Sequence, residues 1–267
     1  MILVAILIGT LVAGIGSVLL AAALGFGLLA RYTQHMLSLA AGALLATAFM
    51  HLLPEAFESQ VSAQQLFAAL LAGLVFFFLL DKAELWHHGH EHGTGHGHGH
   101  DHGQSHDHEH PHNSSGPTRS GGWAVLAGDS VHCFGDGVLI ASAFMADIKL
   151  GIVASLAVLA HEVPHHMGDL VVLRQSSNNN HRTAVVKVSL AGAVTAIGGM
   201  VGYFLVEQLY GFLPFFLVLA SSSFVYVALA DLIPQLQKRA AVAQTVAQIA
   251  WLLAGIALVT VIGELAH

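Results

Sequence analysis

Cysteine is nearly absent. The single Cys133 in 267 residues has nothing to pair with inside the chain, which excludes an internal disulfide framework. Charge is almost as scarce. Asp, Glu, Lys and Arg make up 9% of the chain, against about 25% in an ordinary soluble domain, too little to cover a water-facing surface. Strict alternation of apolar and polar residues is also missing, which argues against a membrane β-barrel. No basic stretch precedes the first apolar run, which starts at Ile2 and is followed by Arg31. That run is expected to be a membrane helix rather than a cleaved signal.

What the chain does hold is apolar sequence. Hydrophobic residues make up 55%, and the mean hydropathy is +0.69. Apolar runs of about 20 residues, the length that crosses a bilayer, recur along it. Eight segments are expected, at roughly 2–30, 35–56, 63–86, 122–146, 150–175, 184–208, 212–236 and 242–265. The expected fold is all-α: a polytopic membrane protein of eight transmembrane helices in a single membrane domain. Residues 1–86 carry helices 1–3, 87–121 form a loop, and 122–267 carry helices 4–8. With the N-terminus outside, Arg31, Lys82, Arg119, Arg174, Arg182, Lys187, Lys238 and Arg239 fall on the inner side and only Lys149 on the outer. That bias puts both termini on the extracytoplasmic side and the long loop in the cytoplasm.

The loop holds twelve of the chain's 20 histidines, between His87 and His112, mixed with Gly, Asp and Glu. It has too few apolar residues to build a core and is expected to be disordered. The spaced imidazoles of His96, His98, His100, His102, His106 and His108 suit a weak, multi-ligand metal sink.

Ionisable residues inside the apolar segments are few, and they cluster. The fourth segment carries His132-Cys-Phe-Gly-Asp136-Gly137, and the fifth His161-Glu-Val-Pro-His165-His166-Met-Gly-Asp169. Positions i and i+4 share a helix face, which aligns His132 with Asp136 and His161 with His165. Cys133 and Glu162 lie on adjoining faces. Charged groups in a bilayer face a partner, a cavity or a transport path, and His with Asp or Glu suits a divalent transition metal. Cys133 is either a soft ligand or packing. His166, four residues from Glu162, is a ligand, a relay or a supporting partner. Asp169 either orients an imidazole or lies near the cytoplasmic mouth. Pro164 frees the carbonyl of Ala160 beside the ligands. Elsewhere, His51-x-x-Pro54-Glu55 and Asp231-x-x-Pro234 suggest further ligands toward the outer and inner ends. Gly135, Gly137, Gly192, Gly198, Gly199 and Gly202 suggest close helix packing.

His161-Glu-x-x-His165 also spells the HExxH pattern of zinc proteases. Pro164 inside it, and more ligands than one catalytic zinc needs, speak against hydrolysis. An intramembrane metalloprotease and a metal exporter remain the alternatives.

With these motifs the chain resembles the ZIP (Zrt/Irt-like) family of metal-ion transporters, in particular its histidine-rich subgroup. The fourth segment resembles HNFxDG and the fifth HExPHExGD, while His51 to Glu55 and Asp231 to Pro234 fit the second- and seventh-helix patterns. The resemblance implies uptake of divalent metal into the cytoplasm: zinc chiefly, with Fe(II), Cd(II) and Mn(II) as secondary candidates. It implies a transporter rather than an enzyme, with no organic cofactor. It also implies a binuclear site. His132, Asp136, His161 and His165 would surround one ion, and Cys133, Asp136, Glu162 and His165 the second. Cys133 stands where the family has Asn, and His166 where it has a second Glu. Both departures suit zinc or a softer ion over manganese. Ser189 is the expected sixth-helix ligand. The expected partners are metal ions, the lipid bilayer and a second copy of the chain as a homodimer, with no nucleic acid. The expected location is a bacterial inner membrane.

Overall fold

The computed structural model describes residues 1–89, 121–176, 180–237 and 241–265, and every element among them is helical. In chain order these are α1 (Ile2–Leu11), α2 (Ser17–Ala46), α3 (Leu53–Phe57), α4 (Ala63–Gly89), α5 (Gly121–Ala146), α6 (Ile148–Ser176), α7 (His181–Gln208), α8 (Leu213–Tyr226), α9 (Ile233–Leu236) and α10 (Val242–Leu265). The loop histidines His96 to His108 lie outside the described residues.

Seven helical stretches are long and apolar enough to cross a membrane: Ile2–Leu24, Tyr32–Phe57, Ala63–Lys82, Ile148–Arg174, His181–Gln208, Tyr210–Leu236 and Val242–Leu265. Helix α5 has 26 residues, ample length for an eighth crossing, but Asp129, His132 and Asp136 interrupt its apolar sequence. The protein is thus a multi-pass integral membrane protein. Its outer faces are apolar, as at Phe67, Leu71, Phe78, Val246, Ile249 and Leu253, all exposed and matched to lipid.

Three wide π-turns interrupt the helices, at Val12–Gly16, Thr47–Leu52 and Val227–Leu232. The last two have one cause. Pro54 and Pro234 each follow the π-turn by two residues, and a proline ring would clash with the carbonyl four residues back, at Met50 and Ala230. The wider turn makes room for the ring. The sequence echo between His51-x-x-Pro54 and Asp231-x-x-Pro234 is therefore also a structural one.

Three features position the centre of the bundle. First, Asp147 alone joins α5 to α6, and its carboxylate accepts from the backbone N–H of Lys149 at 2.8 Å, capping α6. So short a link folds the two helices antiparallel, side by side. Second, α5 lies against α7 through glycine. A Cβ on Gly137 would collide with the backbone at Thr195, and one on Gly198 with the carbonyl of Phe134. Gly192, Gly199 and Gly202 also sit at close contacts, whereas Gly135 faces open space. Third, the first span packs beside α6. Gly9 faces Ser155, and Val18 and Ala21 cluster with Val163, Leu170 and Leu173. Ala43 and Ala46 of the second span cluster instead with Val153, so the two spans run antiparallel.

Candidate metal centre

Helices α5 and α6 face each other with ionisable side chains along about three turns, where apolar residues would ordinarily pack. Because they are antiparallel, Asp136 of α5 meets His161 of α6, His132 and Cys133 meet the next turn, and Asp129 meets the turn after that. The side chains fall into three groups along the helix axis.

The first group is His132, Asp136, His161 and Glu162. His161 Nε2 lies 3.2 Å from Asp136 Oδ2 and 3.4 Å from Glu162 Oε1, and His132 Nε2 lies 3.2 Å from the same Glu162 oxygen. The second group is Asp129, Cys133, Glu162 and His166. His166 Nε2 lies 3.1 Å from Glu162 Oε2 and 3.5 Å from Asp129 Oδ1, and Cys133 Sγ lies 3.6 Å from Asp129 Oδ1 and 3.8 Å from His166 Nε2. The third is Asp129, His165 and Asp169, with His165 Nε2 at 3.8 Å from both Asp129 Oδ1 and Asp169 Oδ2. Donors at about 2.0–2.1 Å from a tetrahedral zinc ion stand about 3.3–3.5 Å apart, so the first two groups already have close to the spacing such an ion needs.

Most of these side chains are sealed from solvent. Cys133 and His166 are fully buried, and Asp136, His161 and Glu162 are at most 3% exposed. Asp129 Oδ2, Asp136 Oδ2, His161 Nε2, both oxygens of Glu162 and Asp169 Oδ2 are buried with no hydrogen-bond partner. Buried polar atoms are ordinarily paired. A proton placed on an imidazole would pair it with one carboxylate, whereas a metal ion satisfies three or four converging donors at once. Glu162 is the pivot. Its two oxygens point into different groups, so it can bridge two ions.

The imidazoles are held from behind, as metal-ligating histidines are. His161 Nδ1 is 3.3 Å from the carbonyl of Ala157, and His166 Nδ1 is 2.8 Å from the hydroxyl of Ser17 on the first span. Each hold leaves Nε2 directed at the group.

All seven residues that the sequence points to on these two helices converge, but their partition differs from the one implied by resemblance. Glu162 replaces His165 in the first group. In the second, Asp129 and His166 replace Asp136 and His165. His165, whose side chain is 40% exposed, turns toward Asp129 and Asp169 instead. Asp129, which joins the second and third groups, was not among the expected ligands, although it stands four residues before Cys133 as His132 stands before Asp136. On α7 it is Thr195, buried and with its backbone carbonyl against Gly137 of α5, that lies at the face packed on the site. Ser189 lies six residues away and is half-buried. His51 packs against Gly263 of α10, Glu55 is exposed, and Asp231 is exposed and accepts from Gln235 at 2.9 Å. None of these three joins a group.

A family model described as ZIP Zinc transporter matches residues 1–112 and 82–263. The chain is 28% identical to "Zinc transporter ZIP13" of Pongo abelii over 280 residues, covering 94% of this chain and 75% of that protein. It is 36% identical to "Zinc transporter ZIP10" of Danio rerio over 115 residues, covering 43% of this chain and 13% of that protein. It is 33% identical to "Zinc transporter SLC39A7" of Rattus norvegicus over 156 residues, covering 55% of this chain and 33% of that protein. The chain thus spans three quarters of the ZIP13 relative and a third or less of the other two.

Proposed function

The chain belongs to the ZIP zinc transporter family, whose members carry metal across membranes rather than act as enzymes, and from that premise we propose that it takes up zinc(II) into the cytoplasm through the paired groups of α5 and α6. One observation carries this reading. Six buried donor atoms without hydrogen-bond partners converge between two membrane-spanning helices, shared among neighbouring groups rather than closed around a single ion. Several sites of mixed strength let an ion enter and leave.

The donor chemistry favours zinc. Two imidazoles and two carboxylates make up the first group, and one thiol, one imidazole and two carboxylates the second. Such borderline-soft sets suit zinc, with cadmium and iron(II) behind it, and disfavour manganese. Inward direction rests on the resemblance to ZIP transporters; the basic residues gathered at one side orient the chain in the membrane. Metal enters past His51 and Glu55, pauses at the two groups, and leaves past Asp231 toward the His-rich loop. In a bacterium this would operate in the inner membrane. The protease alternative is weakened by Glu162. A zincin glutamate activates water beside an open coordination position, but this one is 1% exposed and lies within 3.4 Å of three imidazoles.

The test is radioactive zinc uptake into proteoliposomes, wild type against His161→Ala. Uptake that the variant loses while still folded supports the reading. Equal uptake by both moves the site elsewhere. No uptake by a folded wild type removes zinc, and efflux from preloaded vesicles in place of uptake reverses the direction.

A further inference from the structure

The third group stands apart from the pair in position, exposure and chemistry. Asp129 lies eight residues in from Gly121 and Asp169 seven residues before Ser176, which puts both about 10–12 Å from the same end of α5 and α6. That is the end from which the chain leaves for residues 90–120. The second group is sealed, with Glu162 and His166 at most 1% exposed, whereas in the third the side chain of Asp169 is 14% and that of His165 40% exposed; in the first group only His132, at 29%, reaches solvent. The chemistry shifts too, from a thiol-containing set to one imidazole and two carboxylates. Asp169 Oδ2, 3.8 Å from His165 Nε2, is buried with no hydrogen-bond partner, and so is the second oxygen of Asp129, whose Oδ1 faces His165.

Sharing links the groups into a ladder. Glu162 belongs to the first and second, Asp129 to the second and third. An ion can therefore step from one group to the next by exchanging donors around a carboxylate it already holds, without shedding every ligand at once.

We propose that Asp129, His165 and Asp169 form a third station for the transported divalent metal ion, receiving it from the Cys133 group and presenting it to water. This rests on the transport reading of the two inner groups. With three protein donors and partial exposure the station completes its coordination with water and binds more weakly than the sealed, four-donor Cys133 group, as a release step needs.

The test uses the full-length protein in detergent and cadmium as probe. Cys133 is the chain's only thiol, so a thiolate-to-cadmium charge-transfer band reports the second group alone, while equilibrium dialysis counts all bound ions. Asp169→Asn is isosteric and His165→Ala changes a partly exposed side chain, so neither empties the core, and a thiolate band at full amplitude reports that each variant has kept its fold. The loop histidines contribute equally to every variant and cancel in the difference. The station predicts one ion per chain fewer in each variant, with the thiolate band at full amplitude. An unchanged ion count in both variants overturns it, and so does loss of the band together with the ion, since the residues would then belong to the Cys133 group. A wild type that binds cadmium with no thiolate band counts against the second group, and the ion count still decides the station.

Discussion

The hydroxyl of Ser17 lies 2.8 Å from Nδ1 of His166 and donates its own proton to the carbonyl of Gly14 at 2.5 Å. A hydroxyl has one proton to give. Having given it to Gly14, Ser17 accepts from His166, which puts the imidazole proton on Nδ1 and the lone pair on Nε2, 3.1 Å from Glu162. The first span, which supplies no ligand, thereby sets the tautomer of one. Ser17→Ala removes the acceptor and should weaken zinc binding about 10–100-fold, the usual effect of losing such a supporting partner. Zinc titration of the purified protein checks this. An affinity within twofold of wild type would mean that Ser17 merely packs.

Glu162 is the one side chain common to both inner groups, so its removal should damage both together. Glu162→Gln keeps the volume and loses the bridging charge. Zinc at a hundred times its dissociation constant should stabilise the wild type by about 2.7 kcal/mol and the variant by almost nothing. Thermal unfolding in detergent, with and without zinc, measures the difference. Zinc uptake should fall to background in the same variant. A zinc-induced stabilisation of wild-type size would leave Glu162 outside the coordination sphere.

The sequence makes the scaffold legible because the bilayer sets helix length, and eight apolar runs can be counted without knowing their neighbours. It makes α5 and α6 legible as the candidate site because ionisable residues in such helices demand a reason. Helical arithmetic also brings the residues that converge between them to one side. What it leaves open is rotation. His161, Glu162, His165 and His166 span about 140° of the α6 surface at 100° per residue. Which of them meet α5 is decided by packing against elements far away in sequence, as where Ser17 of the first span holds His166. Hence the exchange of His165 for His166 in the second group. Asp129 was within reach, since the i, i+4 rule that pairs His132 with Asp136 pairs Asp129 with Cys133. Thr195 was not, because an uncharged hydroxyl on a glycine-rich helix carries no signal of its own.

Cys133 sets the softness of the second group. It is fully buried, 3.6 Å from Asp129 Oδ1 and 3.8 Å from His166 Nε2. Cys133→Asn restores the residue of the resembling motif and replaces sulfur with a harder amide oxygen. Cadmium should become a weaker competitor of zinc uptake, by about tenfold if one soft contact is worth about 1.4 kcal/mol, and manganese a stronger one. Uptake of labelled zinc against rising cadmium or manganese reads both shifts. An unchanged cadmium inhibition curve would make Cys133 packing rather than a ligand.

The contact between α5 and α7 depends on the missing side chain of Gly198. A Cβ there would run into the backbone of Phe134, the residue next to Cys133. Backbone cannot swing aside as a flexible side chain can, so Gly198→Ala must push the helices apart. Overpacking of this kind destabilises by about 1–3 kcal/mol, and here the displacement also shifts the stretch of α5 that carries Cys133 relative to His166 of α6, 3.8 Å away. Gly135→Ala is the matched control: its Cβ meets nothing within 4 Å, and Ala favours the helix by about 1 kcal/mol over Gly. Thermal unfolding in detergent should therefore show Gly198→Ala melting below wild type and Gly135→Ala at or above it. Gly198→Ala should also lose the thiolate-to-cadmium band in part, and Gly135→Ala should keep it whole. If the two variants melt alike, the close approach of α5 and α7 is not what positions the site.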